Sequence, residues 1–162
     1  LPGRPPPQCG RTLCVKALTV RNPWAHAIAH WRETIINMTW PTGYRGELAI
    51  HAHPAADPAA DDDPRIAEVA RSHPGIPMAA GAVVAVGHLA GCHHAERCDH
   101  AWTPCCQPGC HHLCDPWATY GMWHWQLTGV RTLAVPVPCK AGLGLWELPE
   151  TVADQTYPTE VL

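Results

Sequence analysis

A chain of 162 residues, 46% hydrophobic and 15% charged, can enclose one sizeable core, and it holds no apolar run of the roughly 18 residues that a membrane-spanning helix needs. Its formal net charge of −3 excludes a globally basic nucleic-acid binder, so contact with phosphate would have to come from a local patch. Eighteen prolines and 13 glycines disfavour a helical bundle, and with eight tryptophans and no phenylalanine the indole rings must serve both the core and any cleft.

In chain order, residues 1–13 contain PGRPPP and read as a flexible, proline-rich tail of polyproline-like character, without the apolar stretch of a signal peptide. A cytoplasmic location is expected, where nine cysteines, an odd number, are reduced or metal-bound rather than fully disulfide-paired. Residues 16–20 alternate apolar and polar side chains and predict a strand. Asn22 is the expected N-cap of a helix that Pro23 opens. Trp24, Ala27, Ile28 and Trp31 recur at three- and four-residue spacing, so this helix is amphipathic and should end near Glu33. Residues 34–39 read as extended. Pro41, Gly43 and Gly46 then lead into a strand over 47–52 with Leu48 and Ile50 facing one way.

The stretch 53–64 is acidic and broken by proline, and Asp61 to Asp63 read as a solvated loop rather than a cation site. A short helix over 65–72 and a buried, β-branched strand within 77–91 follow. Residues 122–127 and 131–135 predict two strands joined by a Thr-Gly-Val turn. On the first of these, Trp123 and Trp125 share one face and His124 takes the other, so burying the pair would expose the histidine. A last strand is expected over 143–148, and residues 150–162 read as a mobile tail. The organisation is therefore a tail, one domain over 14–149 and a second tail, with no internal repeat.

Four blocks, ALTVRNPWA, TWPTGYRGELAIHA, GMWHWQLTGVRTL and VPCKAGLGLWEL, stand in that order between Lys16 and Leu148. Together they resemble the ASCH domain, named for activating signal cointegrator homology, of the PUA-like superfamily. The resemblance implies an α+β, mainly β architecture: a PUA-like β-barrel flanked by short helices, here with a Cys/His-rich loop insertion over 88–118. It also implies RNA or nucleotide binding in a cleft beside the first helix, and in some members hydrolysis of RNA or of a modified cytidine. The family's lysine, glutamate or hydroxyl, and arginine positions after that helix correspond to Glu33, Ile36 and Met38. Isoleucine and methionine can neither move protons nor stabilise developing charge, and neighbouring Arg32 is a permanently charged guanidinium and a poor base. Binding without hydrolysis is the expectation. Stacking on aromatic rings and contact with cations survive these losses, which makes Arg21, Trp24, Asn37, Trp40, Tyr44, Arg45 and Lys140 the candidate RNA-binding residues. The competing reading of each tryptophan is core filling.

From His88 to Cys114 the chain packs six of its nine cysteines and six of its 12 histidines. Zinc takes four such ligands tetrahedrally, and a loop poor in apolar residues gains order from the metal. Cys106, Cys110 and Cys114 recur every four residues and, with Cys98 upstream, form the expected ligand set of a structural zinc. His93, His94, Cys92, Cys105, His111 and His112 are surplus ligands that leave this choice open. Beside RNA or nucleotide binding, two other functions remain open: hydrolysis of the family type, and a zinc-stapled module for protein interaction.

Overall fold

The computed structural model describes residues 15–98 and 113–157, so the proline-rich start, Cys106 and Cys110 lie outside the described residues. The elements run β1 (Lys16–Val20), α1 (Trp24–His30), β2 (Ile35–Met38), β3 (Gly46–Ala52), α2 (Pro64–Ser72), β4 (Ala82–His94), β5 (Trp123–Pro138), β6 (Leu145–Glu147) and α3 (Glu150–Thr156). The fold is mainly β. Its six strands form one curled sheet, a half-barrel, in the order β2-β5-β4-β3-β1-β6, with β1 and β3 parallel and every other pair antiparallel. Among the described residues no helix is long and apolar enough to cross a membrane.

Strand alternation divides the core in two. Leu18, Leu48, Ile50, Leu89, Trp125 and Leu127 point to one face, where Ala25 and Ile28 of α1 and Ile36 of β2 pack on them. Ala17, Ala49, Val83, Val86 and Val137 point to the other and meet Leu148, Val152 and Ala153. Leu48 and Ile50 do share a face, as their spacing predicts. A third cluster joins Ala27 of α1 and Trp31, the residue after that helix, to Ala60 and Ile66, and Trp24, Val69 and Trp117 pack against it.

Several local expectations change in the structure. The backbone cap of α1 is Pro23, not Asn22, but Asn22 lies buried beside it and its Oδ1 accepts the His26 N–H at 3.2 Å. Its Nδ2 donates to the Ala79 carbonyl at 2.7 Å, so one side chain ties the helix start to the loop before β4. The helix stops at His30 because Arg32 takes a left-handed conformation at φ 58°, which points its exposed side chain out of the helix line. The Thr-Gly-Val segment is not a turn between two strands. Gly129, at φ 58°, sits inside the continuous strand β5, and the register slips against β4 between Val86 and His88, so the extra residue is absorbed as a bulge.

The stretch after Pro149 is not a tail over its described part. Pro149 and an acidic first turn open α3, whose Val152 and Ala153 are 8% and 4% exposed. Burying a valine of this kind stabilises by about 1.5–3 kcal/mol. Helix α3 therefore closes the second face of the sheet.

Candidate metal centre and adjoining pocket

The far end of β4 pairs with the start of β5, which β2 flanks on its other edge, and His93 of β4 stands directly opposite His124 of β5. Cross-strand partners project to the same face, so the two rings meet edge to face with centroids 5.2 Å apart. A 3-10 turn at Ala95–Arg97, capped by the His94 side chain, brings Cys98 back over that face. Cys114 arrives from the other side on the segment 113–122, where Asp115 Oδ1 accepts the Trp117 N–H at 2.8 Å and tightens the turn.

The four ligand atoms converge. Cys98 Sγ lies 3.4 Å from His93 Nε2 and 3.2 Å from His124 Nδ1, Cys114 Sγ lies 3.5 Å from His124 Nδ1, and the two imidazole nitrogens are 3.4 Å apart. All four fall within 4.8 Å of one another. A tetrahedral zinc with arms of about 2.1 Å to nitrogen and about 2.3 Å to sulfur would separate its ligands by roughly 3.4–3.8 Å. The group therefore has the size of a coordination shell and could hold a metal ion. His124 Nε2 donates to the Thr119 carbonyl at 2.8 Å, which leaves the Nδ1 lone pair turned toward the sulfurs. Burial, then the neighbouring Cys98, push the Cys114 thiol up to about 12, so without a metal this sulfur keeps its proton.

Two of the expected metal ligands, Cys98 and Cys114, are in this group, while Cys106 and Cys110 fall outside the described residues. His93 was among the surplus ligands. His124 was expected to be exposed wherever its tryptophan neighbours are buried, yet His124 and Trp125 are both 0% exposed. Trp125 faces the half-barrel core, and segment 113–122 covers the opposite face that alternation leaves for His124. The Trp-His-Trp alternation was the available signal; what it lacked was the cover.

On the far side of segment 113–122 a pocket of about 440 Å³ opens between α1, β2 and the loop before α2. Its polar lining includes Arg21, Trp24, Glu33, Asn37, Asp57 and Arg65, and Ile28, Ile36, Met38 and Met122 are among its apolar walls. Arg65 organises one side: it pairs with Asp63 at 2.7 Å, donates to the Trp117 carbonyl at 2.7 Å and to Thr119 Oγ1 at 3.2 Å, and lies 5.6 Å from the Trp24 ring centroid. Asp63 also caps α2, so the acidic loop has a structural use. Asn37 Nδ2 donates to the Trp117 carbonyl and its Oδ1 accepts the Thr119 N–H, both at 2.8 Å. Glu33 is 2% exposed, and among the described residues its Oε2 has no partner. Burial raises its carboxyl well above the usual range; the Arg65 charge opposes this, and Asp115 and Asp63 reinforce it.

Of the candidate RNA-binding residues, Arg21, Trp24 and Asn37 line this pocket, whereas Trp40, Tyr44, Arg45 and Lys140 do not. Trp40 packs edge to face on Trp125 at 4.6 Å and accepts that indole N–H through its carbonyl. The Tyr44 hydroxyl donates to the Glu47 carbonyl, and Arg45 donates to the carbonyls of Thr42 and Tyr44 in its own turn. Lys140 is exposed after β5. Arg65 was not singled out in the sequence, because nothing in its short helix marks it as facing a pocket. Comparison with known proteins returns no matching family and no matching characterised sequence.

Proposed function

We propose that the half-barrel is PUA-like, of the ASCH type, and that the pocket beside α1 binds RNA or a nucleotide. The observation that carries this reading is the meeting of Trp24, Arg21 and an apolar wall around one pocket of about 440 Å³, a volume within the range of small-molecule sites. A flat ring can lie on Trp24 and the apolar wall, and the exposed Arg21 offers a cation to phosphate. Ile36 and Met38 supply two of the walls, which favours binding over hydrolysis. Titration of the intrinsic tryptophan fluorescence with single-stranded RNA and with nucleotides tests this. Salt-sensitive binding is expected, weakened about tenfold or more by Trp24→Ala. No binding at low salt rejects the reading.

The metal group is best filled by zinc in a structural role. Two thiolates and two imidazoles within 4.8 Å of one another are a soft to borderline donor set, and four protein ligands would fill the tetrahedral shell of zinc and leave no position for a substrate. Elemental analysis of purified protein should give one zinc per chain, lost in Cys114→Ser. Cysteine ligands of this kind suit a reducing compartment, and we place the protein in the cytoplasm.

A further inference from the structure

Resting on the pocket reading above, we infer that the pocket takes a nucleotide base first: Glu33 at its floor pairs with the donor-acceptor edge of the base, and Arg21 at its mouth meets the phosphate.

The hydrogen-bond inventory of the pocket leads to this orientation. Both groups of the Asn37 amide are used by segment 113–122. Asp57 spends Oδ1 on the Ala59 N–H and Oδ2 on the Trp24 indole N–H. Asp63 spends both oxygens on Arg65 and on the α2 backbone. Thr19 Oγ1 accepts from Trp146. The polar walls are thus satisfied by the protein itself, apart from two side chains. Among the described residues Glu33 Oε2 is buried and unpartnered, and the exposed Arg21 guanidinium is in no ion pair.

An unpartnered buried oxygen is costly to maintain, and a ligand that supplies its partner recovers that cost. Held neutral by burial, a carboxyl offers one O–H donor and one acceptor side by side, the complement of a base edge that carries an N–H next to a ring acceptor. The opposite orientation is disfavoured by charge. A phosphate pushed inward would face the carboxylates of Asp57 and Asp63, and the cation beside them, Arg65, is already paired with Asp63. Outside, it meets Arg21 in solvent. A free mononucleotide and a nucleotide unit of an RNA strand share this chemistry.

The test is calorimetric titration of the full chain with AMP, GMP, CMP and UMP, with the matching nucleosides, and with short single-stranded RNA. Wild type is compared with Glu33→Gln, Glu33→Leu and Arg21→Ala, each checked for folding by circular dichroism. For the nucleotide that binds, Glu33→Leu should weaken affinity at least about tenfold, whereas Glu33→Gln, which keeps a donor and an acceptor, should stay within about threefold. The nucleoside should bind more weakly than its nucleotide, and Arg21→Ala should erase that difference. Tighter binding of the oligonucleotide than of the mononucleotide assigns the site to RNA, and the reverse assigns it to a free nucleotide; both support the base-first mode. Unchanged affinity in Glu33→Leu, or an unchanged nucleotide-to-nucleoside ratio in Arg21→Ala, overturns base-first entry and leaves the pocket reading standing. If Glu33→Leu does not fold, Glu33→Gln and Arg21→Ala decide. If wild type binds none of the ligands, both readings fall.

Discussion

Two buried titratable side chains pull the stability of this protein in opposite directions as pH changes. Burial, and secondarily the charge of His30, lower the His26 imidazole to about 4. An unfolded imidazole takes up its proton near 6.5, so between pH 6.5 and 4 the unfolded chain binds more protons and stability falls as pH falls. The loss should approach about 3 kcal/mol, and His26→Leu should flatten this acid limb. Glu33 acts the other way. Its carboxyl keeps the proton in the folded state at pH values where the unfolded chain has released it, so stability falls as pH rises from about 4.5 through the raised value. Glu33→Leu should therefore gain stability relative to wild type between pH 5 and pH 8. Urea unfolding at several pH values separates the two effects, and identical slopes in wild type and both variants would show that neither group titrates as its surroundings dictate.

At the level of elements, the paired ends of β4 and β5, flanked by β2, bury Trp125 on one face, and the face that carries His93 and His124 depends on what covers it. The four-residue ligand group joins both strands to Cys98 and to Cys114, two segments that otherwise contribute few buried apolar side chains. A metal that binds only the folded state, at a free concentration a thousandfold above its dissociation constant, stabilises by about 4 kcal/mol. Chelation should then lower the melting temperature by roughly 8–16 °C, and added zinc should restore it. Cys114→Ser should melt as the chelated protein does and ignore zinc.

Elements of this kind were unevenly legible in the sequence. The periodicity of Trp24, Ala27, Ile28 and Trp31 and the alternation around Leu48 and Ile50 are local signals, and α1 and β3 follow from them. Glycine misled at position 129, because a left-handed residue serves a hairpin and a bulge equally well and only the strand across the sheet distinguishes them. Helix α3 carries a readable start, Pro149 and Glu150, but its two turns are held by the buried face that Val83 and Val137 present, which no local window contains. The metal group was half legible for the same reason. Cys98 and Cys114 fall inside the dense insert, whereas His124 joins His93 only through the β4–β5 register.

Across the whole molecule, the metal group and the pocket are the two sides of one segment. Thr119 accepts from His124 of β5 with its carbonyl, gives its N–H to Asn37 on β2, and receives Arg65 on its hydroxyl, so residues 113–122 are clamped between β5, β2 and α2. Trp117 repeats the pattern, its carbonyl taking donors from both Asn37 and Arg65. The half-barrel beneath has its own support, since Ile50, Val83 and Ala85 are 0% exposed and belong to sheet clusters that include no metal ligand. Local opening should therefore precede global unfolding, and the segment with few buried apolar contacts should open first. With the group holding zinc as proposed, hydrogen exchange after removal of the metal is expected to speed up at 93–98 and 113–124, including the Thr119 N–H, while β3 and the first half of β4 stay protected. Asn37→Ala deletes both of its bonds to the segment and should reproduce the faster exchange at 117–119 with zinc still bound. Uniform loss of protection through β3 would instead mean that the metal supports the entire sheet. Unchanged exchange at 117–119 in Asn37→Ala would mean that Arg65 and His124 suffice to hold the pocket wall.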